Sequence, residues 1–144
     1  MKHPIIEQAL ELLACEIRVT DTMSCPGTVR DYLRLKLADR PHEVFAVVFL
    51  DAQHKVIETV EMFRGTLTQT SVYPREVVIE ALKQNAAAVI LCHNHPSGSS
   101  EPSFADISLT DKLRAALGLV DIRVIDHLIV TRATVLSFAE KGLL

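Results

Sequence analysis

Cysteine is scarce in this sequence, and its pattern excludes two common kinds of scaffold. Cys15, Cys25 and Cys92 are the three cysteines, and no Cys-x-x-Cys pair occurs. An odd count without paired spacing argues against a disulfide-stabilised fold and against a cysteine-rich zinc site. We therefore expect buried free thiols in a reducing compartment, which predicts a cytoplasmic location.

Long hydrophobic runs are also missing. No apolar stretch approaches the roughly 20 residues that a membrane-spanning helix needs. The N-terminal residues Met1–Pro4 lead into a segment that contains Glu7 and Glu11, which is unlike the apolar core of a signal peptide. We expect no interaction with a membrane.

The sequence has no excess of basic residues. The 15 lysines and arginines are outnumbered by 18 aspartates and glutamates, which gives a net charge of −3. This balance provides no general attraction to phosphate, although a local basic patch could still bind nucleic acid. The chain of 144 residues, 49% of them hydrophobic and 23% charged, is sufficient for one globular domain.

Helical signals mark four segments. Pro4 suits the first position of a helix whose apolar residues recur at helical spacing. The pattern Thr28-x-x-Asp31 has the form of a capping box and predicts the start of a second helix. Asn85 can end the third helix in the left-handed conformation. The predicted helices cover residues 4–18, 28–39, 74–84 and 103–117.

β-Branched and aromatic residues mark five segments as strands. Residues 51–54 have the composition of a hairpin turn, and residues 65–72, rich in hydroxyl groups, are predicted to form a loop or a short extension. The strand at 87–93 is apolar without alternation, which is typical of a central strand covered on both faces. The predicted strands cover residues 43–50, 55–64, 87–93, 121–130 and 134–138. The order of elements predicts an α/β domain with a mixed β-sheet and helices on both faces.

The most informative stretch of the chain is Val89–Gly98, where an apolar strand leads to two histidines. His93 and His95 are two positions apart and therefore share one face of a strand. Asp106 follows in the first turn of the next predicted helix. Two imidazoles and a carboxylate are a typical ligand set for catalytic zinc, which keeps a fourth position for water. We expect His93, His95 and Asp106 to bind one Zn²⁺ per chain.

Simpler roles exist for the residues around these histidines. Ser103-x-x-Asp106 also has the form of a helix cap, in which the aspartate interacts favourably with the helix dipole. Capping and metal binding are compatible if the Asp106 side chain turns toward the histidines. Cys92 points to the opposite strand face and is expected to be a core thiol rather than a ligand.

The spacing His93-x-His95-x7-Ser103-x-x-Asp106 resembles the JAMM metal motif of the JAB/MPN metalloproteases. The longer string His93–Gly98 is similar to the RadC-type branch of that family. The resemblance implies the layered fold that JAB/MPN domains share with cytidine-deaminase-like proteins. It also implies that the serine stabilises the oxyanion of a tetrahedral intermediate.

Flanking residues extend the resemblance to about residues 25–144, with residues 1–24 left as an N-terminal helix and linker. Arg75–Glu76 and Asp126–His127 match features of the RadC-type branch. Longer RadC-type proteins carry an N-terminal helix-hairpin-helix segment, and we expect this chain to be a short form without it. Arg75 could bind a substrate carboxylate or phosphate, or be solvated. The Asp126–His127 pair could be structural, or could support the metal site or the substrate.

The resemblance also implies a general base. Residues 41–45 resemble the family's first strand, whose glutamate binds and activates the water of the metal, so that Glu43 takes this role. On the residues alone His42 competes with it. Lesser rivals are Glu58, Glu61 and Glu101.

These residues together predict a zinc-dependent metallopeptidase that hydrolyses an amide or isopeptide bond in a peptide or protein substrate. The alternative is a DNA-repair-associated RadC-like protein that acts as a metal-dependent nuclease or as a non-catalytic binding module. The net charge does not support nucleic-acid binding. The oligomeric state stays open, because the apolar first helix could pack on the sheet or on a second copy in a homodimer.

Overall fold

The computed structural model describes residues 2–65 and 71–144. Each predicted element is present in this part of the chain, with small differences at the ends. The helices are α1 (Pro4–Ile17), α2 (Pro26–Leu37), α3 (Pro74–Lys83) and α4 (Phe104–Gly118). The strands are β1 (Val44–Leu50), β2 (Val56–Arg64), β3 (Ala88–Asn94), β4 (Arg123–Val130) and β5 (Val135–Ser137).

The strands form one mixed sheet in the order β2-β1-β3-β4-β5. The β3–β4 pair is parallel, and the other three pairs are antiparallel. Every residue of β1 and β3 is buried. The prediction that the histidine-bearing strand is central and covered on both faces is therefore confirmed.

Helices cover both faces of the sheet, as predicted. Alternation along β1 divides its side chains between two apolar clusters. Val48 packs in the cluster that contains residues of α1 and α2, whereas Val47 packs in the cluster that contains residues of α3 and α4. This arrangement is an α/β fold consistent with a JAB/MPN domain, and its antiparallel β1–β3 pairing brings the start of β1 beside the end of β3.

The predicted start of the second helix was wrong. α2 begins at Pro26, with Cys25 as its N-cap, so Thr28 and Asp31 lie inside the helix and form no capping box. Proline is preorganised for the first helical position and needs no N–H partner there, which allows the helix to begin before the threonine. The left-handed conformation predicted for Asn85 is confirmed by its φ of 55°.

The cysteines are free thiols, but only one of them is buried. Cys92 lies in the core of β3, whereas Cys15 and Cys25 are exposed, which corrects the expectation of buried thiols for these two. Cys15 lies on a helix that contributes one buried residue, Ile17, to the core. Burial raises the pKa of the Cys92 thiol.

Two further expectations concern the loop after β2 and membrane association. Of the predicted loop at 65–72, residues 66–70 lie outside the described residues. Across 2–65 and 71–144, none of the helices combines the length and the apolar character needed to cross a bilayer.

Candidate metal centre

The end of β3 brings two histidines to one edge of the sheet. His93 is the penultimate residue of the strand and is 2% exposed. His95 follows the strand, and its backbone N–H donates to the Val130 carbonyl at 3.0 Å, which extends the register of β3 on β4. The chain then turns at Gly98, whose φ of 88° suits glycine. Backbone hydrogen bonds to neighbouring strands therefore hold both histidines in position.

Four side chains converge at this edge. One ligand atom each from Glu43, His93, His95 and Asp106 lies within 4.8 Å of the others. The two histidine Nε2 atoms are 2.9 Å apart. Asp106 faces both rings, with Oδ1 3.3 Å from His93 Nε2 and Oδ2 3.2 Å from His95 Nε2. Glu43 Oε1 lies 4.0 Å from His93 Nε2.

Asn94 fixes Glu43 relative to the histidines. Its side chain points to the opposite side of β3, where Oδ1 accepts the backbone N–H of Val44 at 2.7 Å and Nδ2 donates to the His42 carbonyl at 2.9 Å. Glu43 lies between these two residues, and its carbonyl accepts the N–H of Gly65 at 2.8 Å. The segment that carries the predicted base is thus held on both sides of that residue.

Asp106 takes part in the predicted helix cap, and its side chain turns toward the two histidines. Ser103 is the N-cap of α4, and its Oγ accepts the N–H of Asp106 at 3.0 Å. In return, Asp106 Oδ2 accepts the N–H of Ser103 at 2.9 Å. The capping box holds the Asp106 carboxylate in an orientation in which it also faces both histidines. Ser103 is exposed beside this carboxylate, and its cap uses the hydroxyl oxygen as an acceptor.

The cluster shifts the acidities of its members. Burial raises the pKa of Asp106, but the contacts with the His93 and His95 imidazoles outweigh this effect and hold the pKa well below its usual range. The hydrogen bond with Asp106 raises the pKa of His95, against an opposing effect of burial. Burial raises the pKa of Glu43, which lies half-buried with acidic and basic neighbours. The arrangement therefore favours the anionic form of Asp106.

Two residues behind His93 connect it to α4. His127 is fully buried on β4, and its Nε2 lies 2.8 Å from His93 Nδ1. Its Nδ1 lies 2.6 Å from Thr110 Oγ1, which also lies 2.7 Å from the Asp106 carbonyl oxygen. Thr110 was not among the residues predicted from the sequence. The available signal was its spacing of four residues from Asp106, which places both on one face of α4.

Other predicted candidates lie outside the four-residue cluster. Asp126 accepts hydrogen bonds from Ser137 Oγ and from the backbone N–H of Ala139 at 3.0 Å, which identifies it as a structural residue of the β4–β5 region. Arg75 is exposed on the first turn of α3. Of the predicted Asp126–His127 pair, His127 contacts His93, a member of the four-residue cluster, whereas Asp126 bonds to the β4–β5 region.

The rival bases also lie elsewhere. Glu61 pairs with Arg40 at 2.7 Å, and Glu58 faces Arg18 at 3.7 Å. His42 and Glu101 are exposed and are not members of the metal-binding group found among the described residues. Glu43 is the candidate carboxylate, besides Asp106, that the fold brings to the histidines.

A family model for the RadC-like JAB domain matches residues 23–143. This match covers most of the chain. The chain belongs to the RadC-like JAB domain family. The motif that resembled the RadC-type branch therefore lies in a genuine member of that family, and the edge-of-sheet cluster is built from its motif residues.

Curated relatives of this RadC-like JAB domain carry names that state no activity. A UPF0758 protein of Methylibium petroleiphilum is 59% identical over 140 residues, which cover 97% of this chain and 63% of the relative. UPF0758 proteins of Polaromonas and Thiobacillus denitrificans are 58% and 60% identical, each with 62% of its length covered. The chain thus spans less than two thirds of the length of these relatives.

The donor atoms of the RadC-like JAB domain fit a bound cation. His95 Nδ1 lies 2.8 Å from the Ser99 carbonyl, which can only accept, so Nδ1 carries the proton and a neutral ring presents a bare Nε2. That Nε2 faces His93 Nε2 and a carboxylate. Nitrogen lone pairs and carboxylate oxygens that converge in this way require a proton or a metal ion between them. Imidazole and carboxylate ligands suit zinc, although they also suit other divalent transition metals.

A cavity of about 210 Å³ opens beside the cluster. Glu43, His93 and Asp106 form one part of its lining, and the rest is apolar. The apolar lining residues are Phe45, Val72, Ala105 and Leu109. An apolar wall next to convergent polar groups is the usual composition of a small-ligand or substrate site.

Proposed function

We propose that this RadC-like JAB domain is a zinc-dependent metallopeptidase that hydrolyses an amide or isopeptide bond in a peptide or protein. The observation that supports this proposal is the convergence of Glu43, His93, His95 and Asp106 within 4.8 Å beside a cavity. In this proposal His93, His95 and Asp106 hold the metal. Bound zinc polarises a carbonyl and lowers the pKa of water to about 7.

Glu43 acts as the general base. Its carboxylate lies beside the histidines and lines the same cavity that a substrate would enter. Glu43 takes a proton from the attacking water and later delivers it to the leaving amine. The bonds that the Val44 N–H and the Glu43 carbonyl make hold the backbone at Glu43 in place, which keeps the glutamate beside the histidines.

Ser103 stabilises the negative charge that develops on the substrate carbonyl oxygen. Its oxygen caps α4 as an acceptor, which leaves the hydroxyl hydrogen available to a ligand. The serine is also the N-cap of α4, where the helix dipole favours negative charge. A donor that is positioned before reaction is worth about 10²–10³ in rate.

A second candidate is a metal-dependent nuclease. A cleft of about 440 Å³ adjoins His95 and is lined by Arg40 and Arg132, whose guanidinium groups suit phosphate. Arg40 is already paired with Glu61, which reduces its availability. The same arginines would also suit a substrate carboxylate, so this cleft does not favour the nuclease over the peptidase.

The substitution Glu43→Gln tests the proposed mechanism. Zinc-loaded protein is incubated with a peptide library and with single-stranded and double-stranded DNA, and products are measured by mass spectrometry. We expect peptide cleavage by wild type, zinc retention by Glu43→Gln, and a loss of cleavage of at least 10²-fold, the lower range for a general base. Glu58→Gln, a change in a half-buried carboxylate outside the cluster, is the matched control and should cleave normally.

Two results would count against this account. Full hydrolysis by Glu43→Gln would exclude Glu43 as the base. Cleavage of DNA but of no peptide, with binding that weakens steeply as salt rises, would select the nuclease in its place.

A further inference from the structure

A neutral His93 can bind a metal through Nε2 only if its proton is on Nδ1. Nδ1 of His93 points away from the cluster and contacts His127 Nε2 at 2.8 Å. Both atoms belong to imidazole rings, and either ring could donate in this contact. The direction of the bond must therefore be set by a group further from the metal site.

Thr110 provides that group. Its Oγ1 lies 2.7 Å from the Asp106 backbone carbonyl and 2.6 Å from His127 Nδ1. The carbonyl can only accept, so the single hydroxyl hydrogen of Thr110 is donated to it. The oxygen of Thr110 is then an acceptor, and His127 must supply the hydrogen from Nδ1.

The proton positions now follow along the chain of contacts. His127 is fully buried, and within the described residues its ring nitrogens contact Thr110 and His93 rather than a carboxylate, so its neutral form is favoured. With Nδ1 protonated, His127 Nε2 is bare and accepts the Nδ1–H of His93. A neutral His93 then presents a bare Nε2 to Asp106 and His95.

We propose that Thr110 and His127 are positioning residues that hold His93 in its metal-binding tautomer, with the backbone carbonyl of Asp106 as the fixed end of the hydrogen-bond chain. Asp106 acts at both ends, because its carboxylate faces the cluster while its carbonyl orients Thr110. Partners of this kind raise the basicity of a ligand and typically contribute 10–100-fold in metal affinity. The inference rests on the proposed metal site but not on any hydrolytic activity.

Nitrogen-15 spectra of the histidine rings test the proton positions directly. Long-range proton–nitrogen correlations of the full chain, metal-free and zinc-loaded, should place the His127 proton on Nδ1 and leave its Nε2 bare in both states. A wild-type protein with the proton on His127 Nε2 would overturn the proposal. In that case His93 Nδ1 would accept the hydrogen bond, and the proton of a neutral His93 would be on Nε2. This result is independent of whether any substrate is cleaved, so it separates this inference from the proposed function.

Variants at Thr110 test its effect on the metal. Thr110→Val removes the hydroxyl with little change of shape, and we expect the His127 proton to move to Nε2 and zinc affinity, measured by chelator competition, to fall 10–100-fold. Thr110→Ser keeps the hydroxyl and should restore both properties. Unchanged affinity and an unchanged tautomer in Thr110→Val would overturn the proposal.

A matched control is available in Thr22. This buried threonine also donates its hydroxyl to a backbone carbonyl, at 2.9 Å, but within residues 2–65 and 71–144 its hydroxyl contacts no imidazole ring. Thr22→Val should lower stability without changing zinc affinity or the His127 tautomer. An equal loss of zinc affinity in Thr22→Val and Thr110→Val would show that the loss comes from general destabilisation, which would contradict the proposal.

Discussion

At the scale of single residues, the site depends on the alternation of side chains at the end of β3. His93 and His95 point to the cluster, and Asn94 between them points to the start of β1. The amide of Asn94 accepts from Val44 and donates to the His42 carbonyl, so it joins the histidine strand to the segment that carries Glu43. Residues 93–95 therefore supply two candidate metal ligands and the side chain that holds the backbone around the predicted base.

We expect Asn94→Ala to destabilise the protein. The substitution leaves the buried N–H of Val44 without its partner, which costs about 1–3 kcal/mol in the free energy of unfolding. Urea unfolding of the metal-free protein measures this cost. Gln53→Ala, a change on the exposed β1–β2 turn, is the control and should have a much smaller effect. Equal effects of the two substitutions would show that the hydrogen bonds of the Asn94 side chain contribute nothing.

At the scale of elements, the first turn of α4 combines folding and function. The capping box of Ser103 and Asp106 stabilises the helix start and also aims a carboxylate at the histidines. A capping pattern in the sequence was thus correct as local structure and incomplete as an account of the site. The two roles of Ser103 can be separated by substitution.

Ser103→Ala and Ser103→Asp make different predictions. Alanine removes the cap, which should lower the free energy of unfolding by about 1 kcal/mol, whereas aspartate keeps an acceptor for the N–H of Asp106. Neither side chain retains a hydroxyl donor, so both variants should lose hydrolysis if the serine acts on the oxyanion. Thermal unfolding and peptide cleavage measure the two effects. A variant Ser103→Asp with full cleavage would restrict Ser103 to a structural role.

The sequence predicted the elements well where a local signal had no competitor. Pro74 and Asn85 mark the two ends of α3, and both act as expected. The start of α2 was mispredicted because two local signals overlap, and the fixed φ of Pro26 placed the helix start before Thr28.

The candidate site was predictable in part for a similar reason. His93, His95 and Asp106 are close in sequence, and their spacing on a strand and a helix start brings them together. The contact between Thr110 and His127 joins α4 to β4 across 17 positions, and it depends on how these elements pack. The four-residue spacing from Asp106 places Thr110 on the same helix face, but it does not indicate which strand packs there, so the hydrogen bonds behind His93 could not be predicted from the sequence.

At the scale of the whole molecule, the mixed sheet is the frame that positions the site. The antiparallel β1–β3 pairing pairs Phe45 with His93 and so brings the start of β1 to the end of β3. Both strands are fully buried between two helical layers. Opening this core would therefore separate Glu43 from the histidines.

Thiol labelling reports the integrity of this core. Cys15 and Cys25 are exposed, and Cys92 is fully buried on β3. We expect Cys15 and Cys25 to react quickly with an alkylating reagent and Cys92 to react only after unfolding in denaturant, as measured by intact mass. The variant Cys92→Ala is the control that identifies the slow thiol. Rapid labelling of all three thiols in the folded protein would contradict the buried position of β3.

The metal site itself is tested most directly by elemental analysis of purified protein with no metal added after lysis. Wild type is compared with His95→Ala and with His42→Ala, a control that removes an exposed histidine outside the cluster. We expect about one zinc ion per chain in wild type and in His42→Ala, and none in His95→Ala. Bound metal should also raise the free energy of unfolding, by about 2.7 kcal/mol when free zinc is 100 times its Kd. Wild-type protein that contains no stoichiometric metal, and is not stabilised when zinc is added, would contradict the central claim.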